Sequence, residues 1–343
     1  MEQALSSAPT SDRWHNALAR PSKPPMNAAV LHTLGKPPRF EQFPDPDPSE
    51  NEVIVHVRAA ALKPVDKQIA GGSHYSSPRE LPVVCGIDGV GLLDDGTRVF
   101  FGGPRRPYGA MAQRTVVRRS QCFPVPEGVA DEVAAALPNP GVSAWLSLNY
   151  RAKLVAGETV LILGATGVTG KLAVQIAKLL GAGRVIAAGR NEQVLSALHN
   201  LGADATIRLD NQQEGLTEAF AREAGATGFQ VIIDYVWGRP TEALLAAITR
   251  AEFAAVATET RLVQVGESAG PTISLRAAVL RSTALTILGT AGIAPPNILV
   301  EAFQQIMAQA ASGKLCIETE QVPLAEIKEA WERAQRSRIV IMP

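Results

Sequence analysis

A glycine-rich segment carries the clearest chemical signal in the sequence. Residues 160–163 form a short apolar run typical of a buried strand, and residues 164–170 lead from it into a stretch with helical periodicity at 168–180. Small residues at such a turn let the backbone approach a phosphate, and the helix N-terminus offers free N–H groups to an anion. The pattern predicts a dinucleotide pyrophosphate site, with a ligand-free strand–helix turn as the alternative. The predicted contacts are Gly164, Ala165, Thr166, Gly167, Val168, Thr169 and Gly170.

The end of the next predicted strand carries a second signal, which concerns the form of the cofactor. Sites that prefer NAD place an acid there to accept the ribose hydroxyls, whereas a guanidinium binds a 2′-phosphate in a fork. The sequence has Gly189, Arg190 and Asn191 at this position, with no carboxylate before Glu192. It therefore predicts NADP(H), with a solvated strand-end arginine as the alternative. Further cofactor contacts are predicted after later strands, at Tyr235, Gly266 and Gly289.

Length and composition limit the class of protein. The chain has 343 residues, which favours two domains sharing one cleft. Lys+Arg and Asp+Glu are balanced at 33 each, so the basic surplus typical of a nucleic-acid-binding protein is missing from the sequence. Three cysteines lie far apart, which favours reduced thiols and a cytoplasmic location, and no apolar run approaches the roughly 20 residues of a membrane helix. Residues 1–25, rich in Ser, Pro and charge, are interpreted as a flexible tail.

Two hydrophobic patterns divide the rest of the chain. From residue 27 to about 121, short alternating segments such as 53–58, together with frequent glycines, predict a mostly antiparallel β domain. After Pro140, apolar runs alternate with helical stretches, which predicts βαβ units and an α/β fold with a doubly wound parallel sheet. The predicted strands of that sheet are residues 160–163, 185–188, 231–233, 262–265 and 285–288. The predicted C-terminal elements are a helix at 298–311, a helix from Pro323 and a strand at 338–343.

Taken together, several segments resemble the medium-chain dehydrogenase/reductase superfamily, in particular its zinc-free quinone oxidoreductase branch. The segments are AAALKPVDKQIAGG (59–72), LPVVCGIDGVG (81–91), GTRVFFGG (96–103), AAALPNPGVSAWLSL (134–148), the glycine turn and VPLAEIKEAWERAQ (322–335). The resemblance implies a Rossmann domain, residues 146–289, inserted into a mostly antiparallel, GroES-like catalytic domain formed by residues 26–145 and 290–343. It also implies a homodimer.

The resemblance bears on metal as well, because related alcohol dehydrogenases hold zinc with Cys, His or acidic ligands. It places Lys63, Ile87 and Asn139 at the three ligand positions. A cation, an alkyl group and an amide do not form that site, so no metal is predicted. The four-cysteine structural zinc lobe is also missing from the sequence, since three cysteines do not fill it.

Without a metal, hydrogen bonds must polarise the substrate carbonyl. The predicted catalytic residues are Lys63, Tyr108 and Asn139. Lys63 could donate to a substrate oxygen or to a cofactor phosphate, and the alternative is an ion pair with Asp66. Tyr108 could orient the substrate or supply a proton, and the alternative is an aromatic ring packed at the base of a loop.

The substrate is predicted to lie in a cleft beneath the β domain. Tyr75 joins the three catalytic candidates on one wall, and Tyr235 and Trp237, which follow the strand at 231–233, form the other. Aromatic rings there suit a flat conjugated acceptor. Packing of Trp237 in the hinge between the domains is the alternative.

These patterns together predict an NADPH-dependent, zinc-independent reductase of quinones, enones or related conjugated carbonyl compounds. Reversible alcohol oxidation is the enzymatic alternative, which the lack of zinc ligands disfavours. A non-catalytic NADPH-binding sensor or structural protein is an alternative of another class, because cofactor binding and turnover use separable residues. A small-molecule substrate is expected, without nucleic acid or membrane partners.

Overall fold

The computed structural model describes residues 24–210, 213–249, 259–290, 294–333 and 337–343. The tail predicted at residues 1–25 therefore lies outside the described residues, apart from its last two positions. Within the described ranges, no helix combines the length and the apolar character needed to cross a membrane.

The N-terminal region and the C-terminus together form two sheets with largely antiparallel pairing. Their strands are β1 (Met26–Leu31), β2 (Arg39–Phe43), β3 (Glu52–Ala61), β4 (Val83–Val84), β5 (Asp88–Leu92), β6 (Arg98–Gly102), β7 (Arg114–Arg118) and β8 (Cys122–Pro124), with β15 (Thr319–Pro323) and β16 (Arg338–Met342). One sheet has the order β2-β1-β4, and the other has β15-β16-β3-β5-β6-β8 with β7 beside β3. In β3, Val55 and Val57 are buried while His56 and Arg58 are exposed, so the predicted alternation is confirmed.

The middle of the chain forms a six-stranded parallel sheet with the order β11-β10-β9-β12-β13-β14. Its strands are β9 (Thr159–Leu163), β10 (Arg184–Gly189), β11 (Ala205–Arg208), β12 (Val231–Asp234), β13 (Thr260–Gln264) and β14 (Leu285–Gly289). The five predicted strands are all present, and β11 is an additional one. The predicted parallel sheet is confirmed, and all of its strands come from the middle of the chain.

The described helices lie around these sheets. They are α1 (Pro64–Gly71), α2 (Asp131–Ala136), α3 (Pro138–Trp145), α4 (Val168–Leu179), α5 (Glu192–Ala197), α6 (Gln213–Ala224), α7 (Gly238–Ile248), α8 (Ala277–Ser282), α9 (Pro296–Ala311) and α10 (Ile327–Glu332). Short 3₁₀ segments occur at Arg119–Gln121, Leu198–Leu201 and Leu324–Glu326, and a π-helical turn occurs at Leu146–Arg151. The last predicted helix thus begins with a 3₁₀ turn after Pro323, and α9 begins two residues before its predicted start.

Helices cover both faces of the parallel sheet. Side chains of alternate strand residues point to opposite faces, so Val160 of β9 packs in one cluster with Leu172 of α4, while its neighbour Leu161 packs with Phe220 of α6 in another. Each face is therefore apolar, and each needs a helical layer to bury it. This confirms the doubly wound arrangement.

Candidate functional site

A cleft of about 610 Å³ opens beyond the carboxyl ends of the parallel strands. It lies at the point where the strand order reverses, because β10 is on one side of β9 and β12 is on the other. Open α/β sheets bind ligands at such a switch point. The lining residues are Gly164, Thr166, Gly167, Gly189, Arg190, Leu209, Asp210, Leu216, Val236, Arg239, Pro240, Ser268 and Ala269.

The glycine turn brings the backbone to the cleft and leaves no room for side chains at two positions. Gly164 has φ +84°, and a Cβ atom there would lie 3.0 Å from Val236 Cγ1. A Cβ atom on Gly170 would lie 2.3 Å from the carbonyl oxygen of Gly164. Helix α4 starts immediately after Gly167, which offers no side chain to cap it. The first N–H groups of that helix are therefore available to an anion.

Arginine side chains enter the cleft from two different strand ends. Arg190 directly follows β10, and Arg239 lies in the first turn of α7, just after β12. Both are exposed, and neither guanidinium has an ion pair or hydrogen bond with any residue that the structure describes. An unpaired guanidinium matches a phosphate in charge and in geometry. The side-chain oxygen of Asn191 accepts from the Val194 N–H at 3.1 Å and thereby caps α5.

Tyr235 and Trp237, which were predicted to form the second wall of the substrate cleft, lie in a tight turn after β12. The buried carboxylate of Asp234 accepts from the N–H groups of Val236 and Trp237, both at 2.8 Å, and from Thr241 Oγ1 at 2.5 Å. This turn holds Trp237 at φ +55°, with its ring packed on the hydrophobic cluster beneath α6 and α7. The Tyr235 hydroxyl is buried without a partner among the described residues, and burial raises its pKa. Neither ring lines the described cleft, and Trp237 is half-buried against the hydrophobic cluster of the parallel sheet.

Lys63 is fully buried, and its ammonium has protein partners. Its Nζ donates to Asp88 Oδ1 at 2.7 Å and to the carbonyl oxygen of Ala61 at 3.0 Å, and it lies 3.6 Å from Asp66 Oδ2. Burial by itself lowers the pKa of Lys63, but the two carboxylates outweigh it and raise that pKa. Arg338, also buried, completes a cluster of two cations and two anions. The geometry corresponds to the ion-pair alternative and leaves no exposed ammonium to donate to a substrate.

The other predicted contacts differ in burial. Tyr108 lines a separate cavity of about 90 Å³ with Asp66 and Cys85, and its hydroxyl lies 3.4 Å from the Asp45 carbonyl oxygen. Tyr75 is 96% exposed. Asn139 is exposed in the first turn of α3. Lys63 is thus buried, Tyr108 lines a small cavity, and Tyr75 and Asn139 are exposed.

The residues at the expected zinc positions do not fit a metal. Lys63 is an ion-paired cation, Ile87 offers only an alkyl group, and Asn139 is on the surface. In the described ranges, no three His, Cys, Asp or Glu side chains form a group able to hold a metal ion.

Sequence reasoning missed three polar residues that line the cleft, namely Asp210, Arg239 and Ser268. Each follows a strand of the parallel sheet within a few residues. The rule that places ligands at the carboxyl ends of the strands could have found them if it had been applied to every strand.

Comparisons with known proteins agree with this architecture. A family model described as zinc-binding dehydrogenase matches residues 168–312. A probable NADPH-dependent quinone reductase of Emericella nidulans is 27% identical over 93% of this chain and 100% of its own.

Solved structures are similar over most of their length as well. The quinone oxidoreductase from Thermus thermophilus, solved also in complex with NADPH, has 28% identity and a TM-score of 0.75 over 93% of this chain and 100% of that one. An NAD-dependent alcohol dehydrogenase has 26% identity and a TM-score of 0.79 over the same shares. These proteins thus share a fold, while their names differ in cofactor and substrate.

Proposed function

The chain belongs to the medium-chain dehydrogenase/reductase superfamily of oxidoreductases and is quinone oxidoreductase-like, and we propose that it is an NADPH-dependent, zinc-independent reductase of quinones, enones or related conjugated carbonyl compounds. The observation that carries the choice of cofactor is the unpaired guanidinium of Arg190, which lines the cleft where an NAD-preferring protein has an acid. The names of the fungal and bacterial relatives support the same cofactor and acceptor.

The residues of the cleft fit a dinucleotide. The free N–H groups at the start of α4 would bind the pyrophosphate, and Gly164 and Gly170 allow the backbone to come close to it. Arg190 would bind the 2′-phosphate, with Arg239 as a second cation in the same cleft. When bound, NADPH supplies a hydride, while the protein supplies position and electrostatics. A proton would come from water or from a nearby side chain.

A direct test of the cofactor is to titrate the purified protein with NADPH and with NADH and to follow binding by fluorescence. A charge-assisted hydrogen bond contributes roughly 1.5–3 kcal/mol, so NADPH should bind about tenfold more tightly or better. Equal affinities would contradict the proposed cofactor.

Turnover separates the proposal from its two alternatives. NADPH oxidation should be steady with some members of a panel of quinones and enones, while alcohols with NADP⁺ should give little reduction. A preference for alcohols would favour the dehydrogenase alternative, to which the similar alcohol dehydrogenase structure points. Tight NADPH binding without turnover of any acceptor would favour a sensor or structural protein.

Independence from zinc has its own test, since the family model is described by zinc binding. Lys63, Ile87 and Asn139 do not offer a ligand set, so elemental analysis of the active protein should find no stoichiometric zinc. A chelator should leave the activity unchanged. About one zinc per chain would overturn this part of the proposal.

We further propose a cytoplasmic homodimer. Strand β14 ends the parallel sheet and pairs only with β13 among the described residues, so its outer edge can accept a strand from a second copy. Leu280 of helix α8, which precedes β14 in the chain, is half exposed. Light scattering after size-exclusion chromatography should give twice the 36.3 kDa of the chain.

A further inference from the structure

A cluster of charged side chains lies beside the cleft at the ends of β10 and β11. In the parallel pairing of these strands Gly189 is opposite Arg208, which places Arg208 next to the strand end that carries Arg190. Nη1 of Arg208 donates to Glu192 Oε2 at 2.9 Å, and its Nε donates to Asp210 Oδ1 at 3.0 Å. A further bond joins Nη2 to Asp210 Oδ2, so one guanidinium holds two carboxylates, one of them in a fork.

Both carboxylates are placed where they could interfere with the cleft. Asp210 lines it together with Arg190, and Glu192 is two residues from Arg190 along the chain. A free carboxylate in either place would attract the Arg190 guanidinium and would repel a phosphate dianion. The hydrogen bond from Arg208 is the main cause that lowers the pKa of Asp210, so Asp210 is ionised at neutral pH. Nevertheless, Arg190 has no ion pair with any described residue.

We infer that Arg208 is a specificity-determining positioning residue, which holds Glu192 and Asp210 so that Arg190 remains free for the 2′-phosphate of NADP(H). The inference rests on the proposed function, because it explains how the preference for the phosphorylated cofactor is maintained. Arg208 acts here through the two carboxylates and not as a phosphate ligand. Removing Arg208 should therefore be harmless once the two carboxylates are also gone.

The first experiment compares Arg208→Gln with the natural protein in direct titrations of the full chain with NADPH and NADH. The ion pairs of Arg208 are partly exposed, and each such pair contributes only about 1 kcal/mol or less. The loss of NADPH affinity should therefore be moderate, about threefold to tenfold. NADH affinity should stay within about twofold, since NADH lacks the phosphate that the freed carboxylates repel. An unchanged NADPH affinity would overturn the inference.

The decisive variant is Arg208→Gln combined with Glu192→Gln and Asp210→Asn. Its NADPH affinity should return to within about twofold of the natural value, because no carboxylate remains to take Arg190. If the triple variant binds NADPH as weakly as Arg208→Gln, then Arg208 touches the phosphate itself, and the positioning role is refuted.

A matched control comes from a similar ion pair elsewhere. Arg333 lies 2.9 Å from Glu320, and their side chains are 46% and 45% exposed, against 45% and 40% for Arg208 and Asp210. Arg333→Gln should leave both cofactor affinities unchanged. Different results would contradict the inference and the proposed function. Equal NADPH and NADH affinities in the natural protein would contradict the function, whereas an NADPH preference that is unchanged in Arg208→Gln would contradict only the inference.

Discussion

The molecule uses cations in two contrasting settings. At the cleft, Arg190 and Arg239 are exposed and have no ionic partner among the described residues. In the N-terminal β region, Lys63 and Arg338 are buried, and Asp66 and Asp88 balance their charge. The first setting leaves charge available to a ligand, while the second satisfies charge inside the protein.

This difference shows that residue type alone does not tell a ligand-binding cation from a cation paired inside the protein. A lysine at an expected pocket position and an arginine at a strand end both look like ligand-binding cations in a sequence. Burial and partners separate them, because a buried charge is tolerated only when it is paired, whereas an exposed charge needs no partner. We therefore expect the buried cations Lys63 and Arg338 to affect stability, and the exposed cations Arg190 and Arg239 to affect cofactor binding.

The largest effect is expected from Lys63→Met. This substitution removes the ammonium group that pairs with the buried carboxylates of Asp66 and Asp88. Breaking a buried pair by removing one partner costs about 3–5 kcal/mol, so the free energy of unfolding in urea should fall by that amount. The exposed Lys328 of α10 is a matched control, and Lys328→Met should change it by less than about 0.5 kcal/mol. Equal effects of the two substitutions would contradict the contrast.

A pH series sharpens this result. Burial raises the pKa of Asp88 above the usual 3.8 even with Lys63 beside it, and loss of the ammonium raises that pKa further. A carboxyl group with a higher pKa in the folded chain takes up a proton on folding, so the variant gains stability as the pH falls through that raised pKa. The loss in Lys63→Met should thus shrink toward acid pH. Adding Asp88→Asn should recover stability at neutral pH and make the stability of the variant less dependent on pH. A loss of stability that does not change with pH would argue against an unpaired buried carboxylate.

On the cleft side, Arg190→Ala should reduce the affinity for NADPH about tenfold or more and leave NADH binding nearly unchanged. Because Arg190 is exposed and unpaired, its substitution should shift the free energy of unfolding by less than about 0.5 kcal/mol. Paired titrations and urea unfolding of the same preparation check both halves. A large loss of stability with unchanged cofactor binding would reverse the assignment.

The smallest effect is expected from Tyr75→Ala. Tyr75 is 96% exposed, and within the described ranges its ring packs on His74 alone, with ring centroids 4.1 Å apart, so stability should change by less than about 0.5 kcal/mol. A rise in the KM for a quinone without a change in stability would restore Tyr75 as a substrate contact.

The sequence predicts well what depends on neighbouring residues. The glycine turn and Arg190 are recognisable because the strand, the turn and the helix follow one another, so their positions in the sheet follow from local order. The partners of Lys63 are different. Asp66 lies three residues away and was a candidate, but the closer contact is Asp88, 25 residues along the chain.

Side chains on loops escape prediction for a related reason. The positions of Tyr75 and Tyr108 depend on how loops of the β region lie over their strands, and no periodic pattern encodes that. Tyr108 meets the Asp45 carbonyl group across 63 residues of chain. Aromatic residue type therefore identified candidates, but it did not place them in one cleft.

The pairing of β16 with β3 has a consequence for the order in which the chain acquires its structure. Ile341 is opposite Ala60, and Arg338 donates to the carbonyl oxygen of Leu62 across 276 residues. The parallel sheet, by contrast, is complete by Gly289. During synthesis on the ribosome, strands β3 and β5 to β8 can pair among themselves early, whereas β16 can join β3 only after the whole parallel sheet has been made. Contacts so distant in sequence form slowly, so the end of β3 at Ala60 and Ala61 stays unpaired on this side until β16 docks.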